Sequence, residues 1–161
     1  MAEWNTPIFD RTQEDVDYAI RKIAEWIASD ITSASLVGYD LKGCLNVSDI
    51  NRIEENVSYL AEQLKGYHYP SDTSSKSWSV TDMPNQSDIT RIIDNIKSLI
   101  DSFYLHPDAP TLPDGMLGYN EVNAIEENLS LIKALIDAMV NSFRKLGTFK
   151  AGSSMFLPIR R

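Results

Sequence analysis

Leu45-Asn46-Val47-Ser48-Asp49-Ile50-Asn51-Arg52-Ile53-Glu54-Glu55-Asn56-Val57-Ser58-Tyr59-Leu60 is answered about 72 residues later by Leu117-Gly118-Tyr119-Asn120-Glu121-Val122-Asn123-Ala124-Ile125-Glu126-Glu127-Asn128-Leu129-Ser130-Leu131-Ile132. A repeat with a fixed period is a statement about architecture before it is one about chemistry. Upstream, Gln13-Glu14-Asp15-Val16 is answered by Gln86-Ser87-Asp88-Ile89, and each copy is preceded by a tryptophan (Trp4, Trp78) and an aspartate (Asp10, Asp82). The chain reads as a pseudo-duplicated helical scaffold.

Four segments carry helical periodicity, and each opens with the same device. Thr12 with Asp15, Asn46 with Asp49, Asn85 with Asp88 and Gly118 with Glu121 place a capping residue three before a carboxylate. The cap accepts from a free N–H of the first turn, and the acid reaches back or meets the helix dipole. Gly118 has no side-chain acceptor and is the weakest of the four. Behind the caps, apolar residues fall at steps of three and four. They are Val16, Ala19, Ile20, Ile23, Trp26 and Ile27 in the first helix, and Ile50, Ile53, Val57, Leu60 and Leu64 in the second. The third has Ile89, Ile92, Ile93, Ile96, Leu99, Ile100 and Phe103.

The fourth reads Val122, Ile125, Leu129, Ile132, Ile136, Met139, Phe143 and Leu146, an unbroken heptad seam. At ~1.5 Å per residue a helix over roughly residues 119–146 is about 40 Å long. Its last turns either project from the bundle to meet another copy or close a wide stripe inside the monomer. Gly147 is placed to end it. The predicted fold is all-α, a four-helix arrangement from two tandem helix-loop-helix repeats, with a long C-terminal helix and an extended C-terminal tail. Residues 1–70 form the first hairpin repeat, 71–146 the second and 147–161 the tail. The two halves are expected to pack together, because one hairpin has too little surface to bury its stripe alone. The connection 28–45 has room for a short helical turn, and the linker from Tyr67 to Ser77 is polar.

A net charge of −8 argues against a grip on nucleic acid, which needs clustered Lys and Arg. Residues 144–161 nevertheless hold five basic side chains and no acid, which leaves about −13 on the rest. The single cysteine, Cys44, excludes an internal disulfide and reads as a small, half-buried thiol. The first residues show no signal-peptide pattern, and nowhere do eighteen apolar residues run together, so folding in a cytoplasm and no membrane insertion are expected.

Catalytic constellations are scarce. His68 lies in the linker and His106 in a loop, and neither has metal-ligand spacing. No phosphate loop or nucleophile elbow is present. Glu54-Glu55 and Glu126-Glu127 invite a carboxylate-pair reading, but neighbours on a helix point about 100° apart, and a di-iron site needs Glu-x-x-His motifs that are missing here. Asn51/Asn123, Glu54/Glu126 and Asn56/Asn128 flank the seams and read as braces for neighbouring loops. Trp4, Phe9, Trp78 and Tyr119 read as apolar staples at the helix starts. No enzyme activity, cofactor, metal or small-molecule substrate is expected.

The tail after Gly147 lacks helical period and mixes short apolar groups with positive ends, a segment suited to docking on a neighbour. The candidate partner-binding residues are Met139, Phe143, Leu146, Phe149, Met155, Phe156, Leu157, Arg160 and Arg161. The acidic body would steer the tail toward it.

Three ordered motifs carry a resemblance. They are Asp10-Arg11-Thr12-Gln13-Glu14-Asp15-Val16, then the stretch from Lys42 to Glu54 (Lys-Gly-x-Leu-Asn-x-x-Asp-x-Asn-Arg-Ile-Glu), then Trp78-x-x-x-Asp82-x-Pro84-x-x-x-Asp88. Val122-Asn123-Ala124-Ile125-Glu126 follows, and Phe143-Arg144-Lys145-Leu146-Gly147-Thr148-Phe149-Lys150-Ala151-Gly152 departs from the family's Phe-Arg-Tyr-Ser-Gly-x-x-Tyr-Ala-Gly at its aromatic and serine positions. Over roughly residues 10–152 the chain resembles the helical tail-region structural proteins of phages and prophages of Gram-positive, clostridia-like bacteria. The resemblance implies a non-enzymatic component of a phage tail, baseplate or contractile tail-like particle. It would be found in the virion or particle, and in the host cytoplasm during assembly. Its partners would be other tail proteins and copies of itself. The alternative is a soluble acidic adaptor or regulatory module that binds a phage or host protein.

Overall fold

The computed structural model describes residues 2–29, 41–115 and 117–145. It contains α1 (Gln13–Ala28), α2 (Val47–Gly66), α3 (Gln86–Ser102) and α4 (Tyr119–Lys145), and no strand among the described residues. All four helices begin at the expected caps. The Asp15 carboxylate accepts from the Thr12 N–H at 2.9 Å, Asp49 from Asn46 at 3.0 Å, Asp88 from Asn85 at 3.1 Å, and Glu121 from Gly118 at 2.9 Å. Four otherwise unpaired N–H groups are thus satisfied by side chains three residues downstream. The expected helical turn within 28–45 falls largely outside the described residues.

α2, α3 and α4 pack against one another. Ile53, Val57, Leu60 and Leu64 of α2 meet Ile92, Ile93, Ile96 and Leu99 of α3 and Ile125, Leu129, Ile132 and Ile136 of α4 in one cluster. Trp78 joins it at 6% exposure, so this tryptophan is a core residue contributed by the linker and not a staple at a helix start. Trp4 is half-buried against Tyr59, with ring centroids 5.7 Å apart, while Phe9 is exposed.

α1 departs from the expectation that both halves pool their stripes. No α1 residue belongs to the core cluster. Ala19 is 1% exposed, but Ile20 is 61%, Ile23 38% and Ile27 76% exposed. The helix is anchored at its first turns instead. Gly43 lies so close to it that a Cβ there would sit 2.1 Å from the Asp15 carbonyl oxygen. Lys42 bridges Asp10 at 3.0 Å and Asp15 at 3.5 Å. Among the described residues the two halves therefore differ in shape: α3 packs on α4, whereas the apolar ridge of α1 is left outside the core cluster. The α4 seam divides as well. It is buried through Ile136, Val140 packs half-buried against the core, and Phe143 is 60% exposed.

α2 ends in a six-to-one turn. The His68 N–H donates to the Lys65 carbonyl at 3.1 Å and the Tyr69 N–H to Leu64 at 2.9 Å, with His68 at φ 69° in the left-handed region. Tyr69 then stacks edge-on against Phe103 at 5.2 Å, which fixes the direction of the linker.

Candidate functional site

The repeated asparagines and glutamates form a brace system that holds two extended segments on the helical core. An asparagine amide carries a donor and an acceptor side by side, so it can pair with both the N–H and the C=O of one extended residue, as a neighbouring strand would. Asn51 of α2 does this to Trp78, at 2.9 Å in both directions. Asn123 of α4 does it to Arg11, accepting at 3.2 Å and donating at 2.9 Å. The lead-in of each half is thus pinned by the second helix of the other half.

Asn56 clamps Asn5 in the same way, at 2.8 and 2.9 Å, and Asn95 of α3 clamps Ser74 at 3.0 and 2.7 Å. Asn128 meets Pro110, which has no N–H to offer, so its amide donates to the Pro110 carbonyl at 2.9 Å and to Ala124 at 2.8 Å. Asn56 and Asn128 are essentially unexposed, so each clamp satisfies groups that water does not reach.

Glu126 is fully buried at the crossing of the N-terminal segment with α2 and α4. It accepts from the Ile8 N–H at 2.7 Å, from Arg11 Nη2 at 3.0 Å, and from Arg52 Nε and Nη2 at 2.9 and 2.7 Å. Asp49 accepts from Arg11 at 2.8 Å and from Arg52 at 2.5 Å, and the Arg11 guanidinium also donates to the Ile8 carbonyl. Two guanidiniums and two carboxylates form a charge-balanced quartet. Its charges tolerate burial because every one is paired. Burial alone would lower the Arg52 pKa, but hydrogen bonds and charge from Glu126 and Asp49 outweigh it and hold the group above its ordinary value.

Glu54 is the counterpart in the first repeat. It accepts from Trp78 Nε1 at 3.2 Å and from both Arg91 amino groups, while Arg91 also donates to the Ser74 carbonyl at 2.7 Å. The hydrogen bond to Glu54 holds Arg91 above its ordinary pKa. Lys76 covers the Trp78 ring at 3.7 Å from its centroid.

The expected braces at Asn51/Asn123, Glu54/Glu126 and Asn56/Asn128 are all found. Nothing in the sequence pattern singles out Arg11, Arg52, Arg91 and Asn95 as their partners. A signal was available: a carboxylate that recurs one step after a seam isoleucine in both copies needs a cationic partner wherever the fold buries it.

The remaining candidates are dispersed. Of the partner-binding residues, Met139 is half-buried on α4 and Phe143 is exposed, and the two share the outer end of that helix. Leu146, Phe149, Met155, Phe156, Leu157, Arg160 and Arg161 lie outside the described residues. His106 Nδ1 accepts from the Asp108 N–H at 3.1 Å, a local turn contact. Cys44 lines a cleft of about 260 Å³ with Arg11, Leu45, Leu117 and Val122. Burial pushes its thiol pKa up, which favours the protonated form over a nucleophilic thiolate. Among the described residues no group of three or more His, Cys, Asp or Glu is placed to hold a metal ion. No described helix is long and apolar enough to cross a membrane.

No protein-family model, curated protein or solved structure matches the chain.

Proposed function

We propose that this protein is a non-enzymatic structural component of a phage tail, baseplate or tail-like particle, assembled through its surface ridges and its C-terminal segment. The observation that carries the reading is the aliphatic ridge Ile20, Ile23 and Ile27, exposed among the described residues on a helix outside the core cluster. Full burial of an isoleucine is worth about 1.5–3 kcal/mol, so such a ridge gains most when another chain covers it. Asn51, Asn123, Glu54, Glu126, Asn56 and Asn128 are meanwhile occupied in bracing the chain. Phe143 offers a second apolar contact at the end of α4.

The test is copy number. Purified particles from the strain that encodes the chain should contain it at a fixed ratio to the major tail protein. Deleting residues 147–161 should leave helical content and melting nearly unchanged and abolish that incorporation. Absence of the full chain from particles would instead favour an acidic adaptor, for which the body's charge of about −13 would be the binding surface.

A further inference from the structure

We infer that the cleft between α3, the segment 104–112 and α4 is a socket for one tryptophan side chain of a partner protein, with Asn128 Oδ1 accepting from the indole N–H. The inference deepens the assembly reading, on which the protein origin of the ring rests.

Asn128 is a clamp with one half unfilled. In the first repeat Asn56 accepts from the Asn5 N–H at 2.8 Å and donates to the Asn5 carbonyl at 2.9 Å. At the matching place in the second repeat, Asn128 donates to the Pro110 carbonyl at 2.9 Å and to the Ala124 carbonyl at 2.8 Å. Both hydrogens of Nδ2 are thus spent, which fixes the other end of the amide as oxygen. That Oδ1 accepts from no donor among the described residues, since Pro110 has no N–H. Asn128 is 1% exposed and lines the cleft. The side-chain atoms that lack both solvent and a partner are, among the described residues, Arg11 Nε and Ser71 Oγ. Asn128 Oδ1 is outside that set, so the little exposure the residue keeps is at its oxygen and opens on the cleft. A donor the size of water can reach it there.

The walls select the donor. The cleft holds about 420 Å³, and Ile100, Leu105, Ala109, Pro110 and Leu112 line it with apolar groups. A single acceptor between apolar walls calls for an apolar body with a single donor. Indole meets this, because its N–H donates and it brings no acceptor that would be left unmatched. An extended backbone, held by both its groups in the other clamps, would bring a carbonyl for which Nδ2 is no longer free. Leu105 is 55% exposed and the adjoining Tyr104 61%. A protein surface around the ring would cover them, as apolar contacts surround a buried anchor residue in an interface. Lys97, also lining the cleft, is half exposed and paired with Asp94 at 3.3 Å. Its stem is long enough to lay the ammonium over an incoming ring, as Lys76 does over Trp78 at 3.7 Å.

Nitrogen-15 NMR titration of the full-length chain with N-acetyltryptophanamide tests this, beside the same compound methylated at the indole nitrogen. The parent compound should saturate at about millimolar concentration or below, and shift amides of α3, residues 104–112 and the middle of α4. Methylation removes the donor and should weaken binding about ten-fold. Pro110→Ala supplies the N–H that Asn5 supplies in the first repeat. Oδ1 is then filled from within, and the preference for the unmethylated ring should fall below about two-fold. No saturable shift, shifts centred elsewhere, equal binding of the two compounds, or a preference unchanged by Pro110→Ala would overturn the socket. Copy number in purified particles is measured separately. A chain present in particles whose cleft ignores the ring sinks the socket and spares the assembly reading. A chain that binds the ring as described and is absent from particles does the reverse.

Discussion

Replacing Glu126 with Gln probes the buried quartet most sharply. The side chain keeps its size but loses its charge, and one oxygen that accepted from a guanidinium becomes an amide nitrogen. Arg11, 2% exposed in its side chain, and Arg52, 12% exposed, are left sharing Asp49 alone. The buried cluster then carries one uncompensated positive charge. Removing one partner of a buried pair costs about 3–5 kcal/mol, out of the roughly 5–15 kcal/mol that stabilises a typical domain. At about 2–4 °C per kcal/mol for a chain of this size, melting should fall by about 10 °C.

Urea unfolding followed by circular dichroism at 222 nm measures the loss directly. The double variant E126Q/R52Q restores charge balance around Arg11 and Asp49. It should cost less than the sum of E126Q and R52Q by about 1–3 kcal/mol. An E126Q loss below about 1 kcal/mol, or strict additivity in the cycle, would refute the quartet as a coupled unit.

Gly43→Ala should detach the start of α1, since the new methyl would meet the Asp15 backbone. Overpacking of this kind costs about 1–3 kcal/mol, and faster amide exchange confined to α1 would distinguish it from global damage. His68→Gly should stabilise the chain by about 1 kcal/mol in urea titration, because it relieves a left-handed residue in the α2 terminator. Backbone hydrogen bonds from Thr12, Asn85 and Ser79 hold Asp15, Asp88 and Asp82 below their ordinary 3.8. Their contribution is therefore complete above about pH 4 and is lost as pH falls through the depressed values. The unfolding midpoint should decline on acidification below pH 4, and D15N/D88N should flatten part of that decline.

Much of the fold is legible in the sequence because its signals are local. A cap and its carboxylate lie three residues apart, and a seam reports its own period. The Asn and Glu positions beside the seams also read correctly as braces, since a polar residue at the edge of a buried stripe must bond to something. Their partners are a different matter. Arg11 and Glu126 are 115 positions apart, and no local pattern links them.

Trp78 resembles a staple by spacing, yet it sits in the core because Asn51 and Glu54 draw the linker inward. The amphipathic face of α1 shows that a partner is wanted, but it does not show whether that partner lies in the same chain. Periodicity is the same for a stripe that is buried and for one left exposed. Of the candidate contact surface, Phe143 is legible as the end of a seam that outruns its core, whereas the exposure of the α1 isoleucines is not.

Native-state hydrogen exchange at the clamped positions tests the central claim, that side-chain amides and carboxylates hold two extended segments to a three-helix core. The amides of Asn5, Ile8, Arg11, Ser74 and Trp78 lie outside helices, yet each donates to an asparagine or glutamate oxygen. They should exchange as slowly as the core amides of α2 and α4. Exchange at the rates of free extended chain would contradict the account.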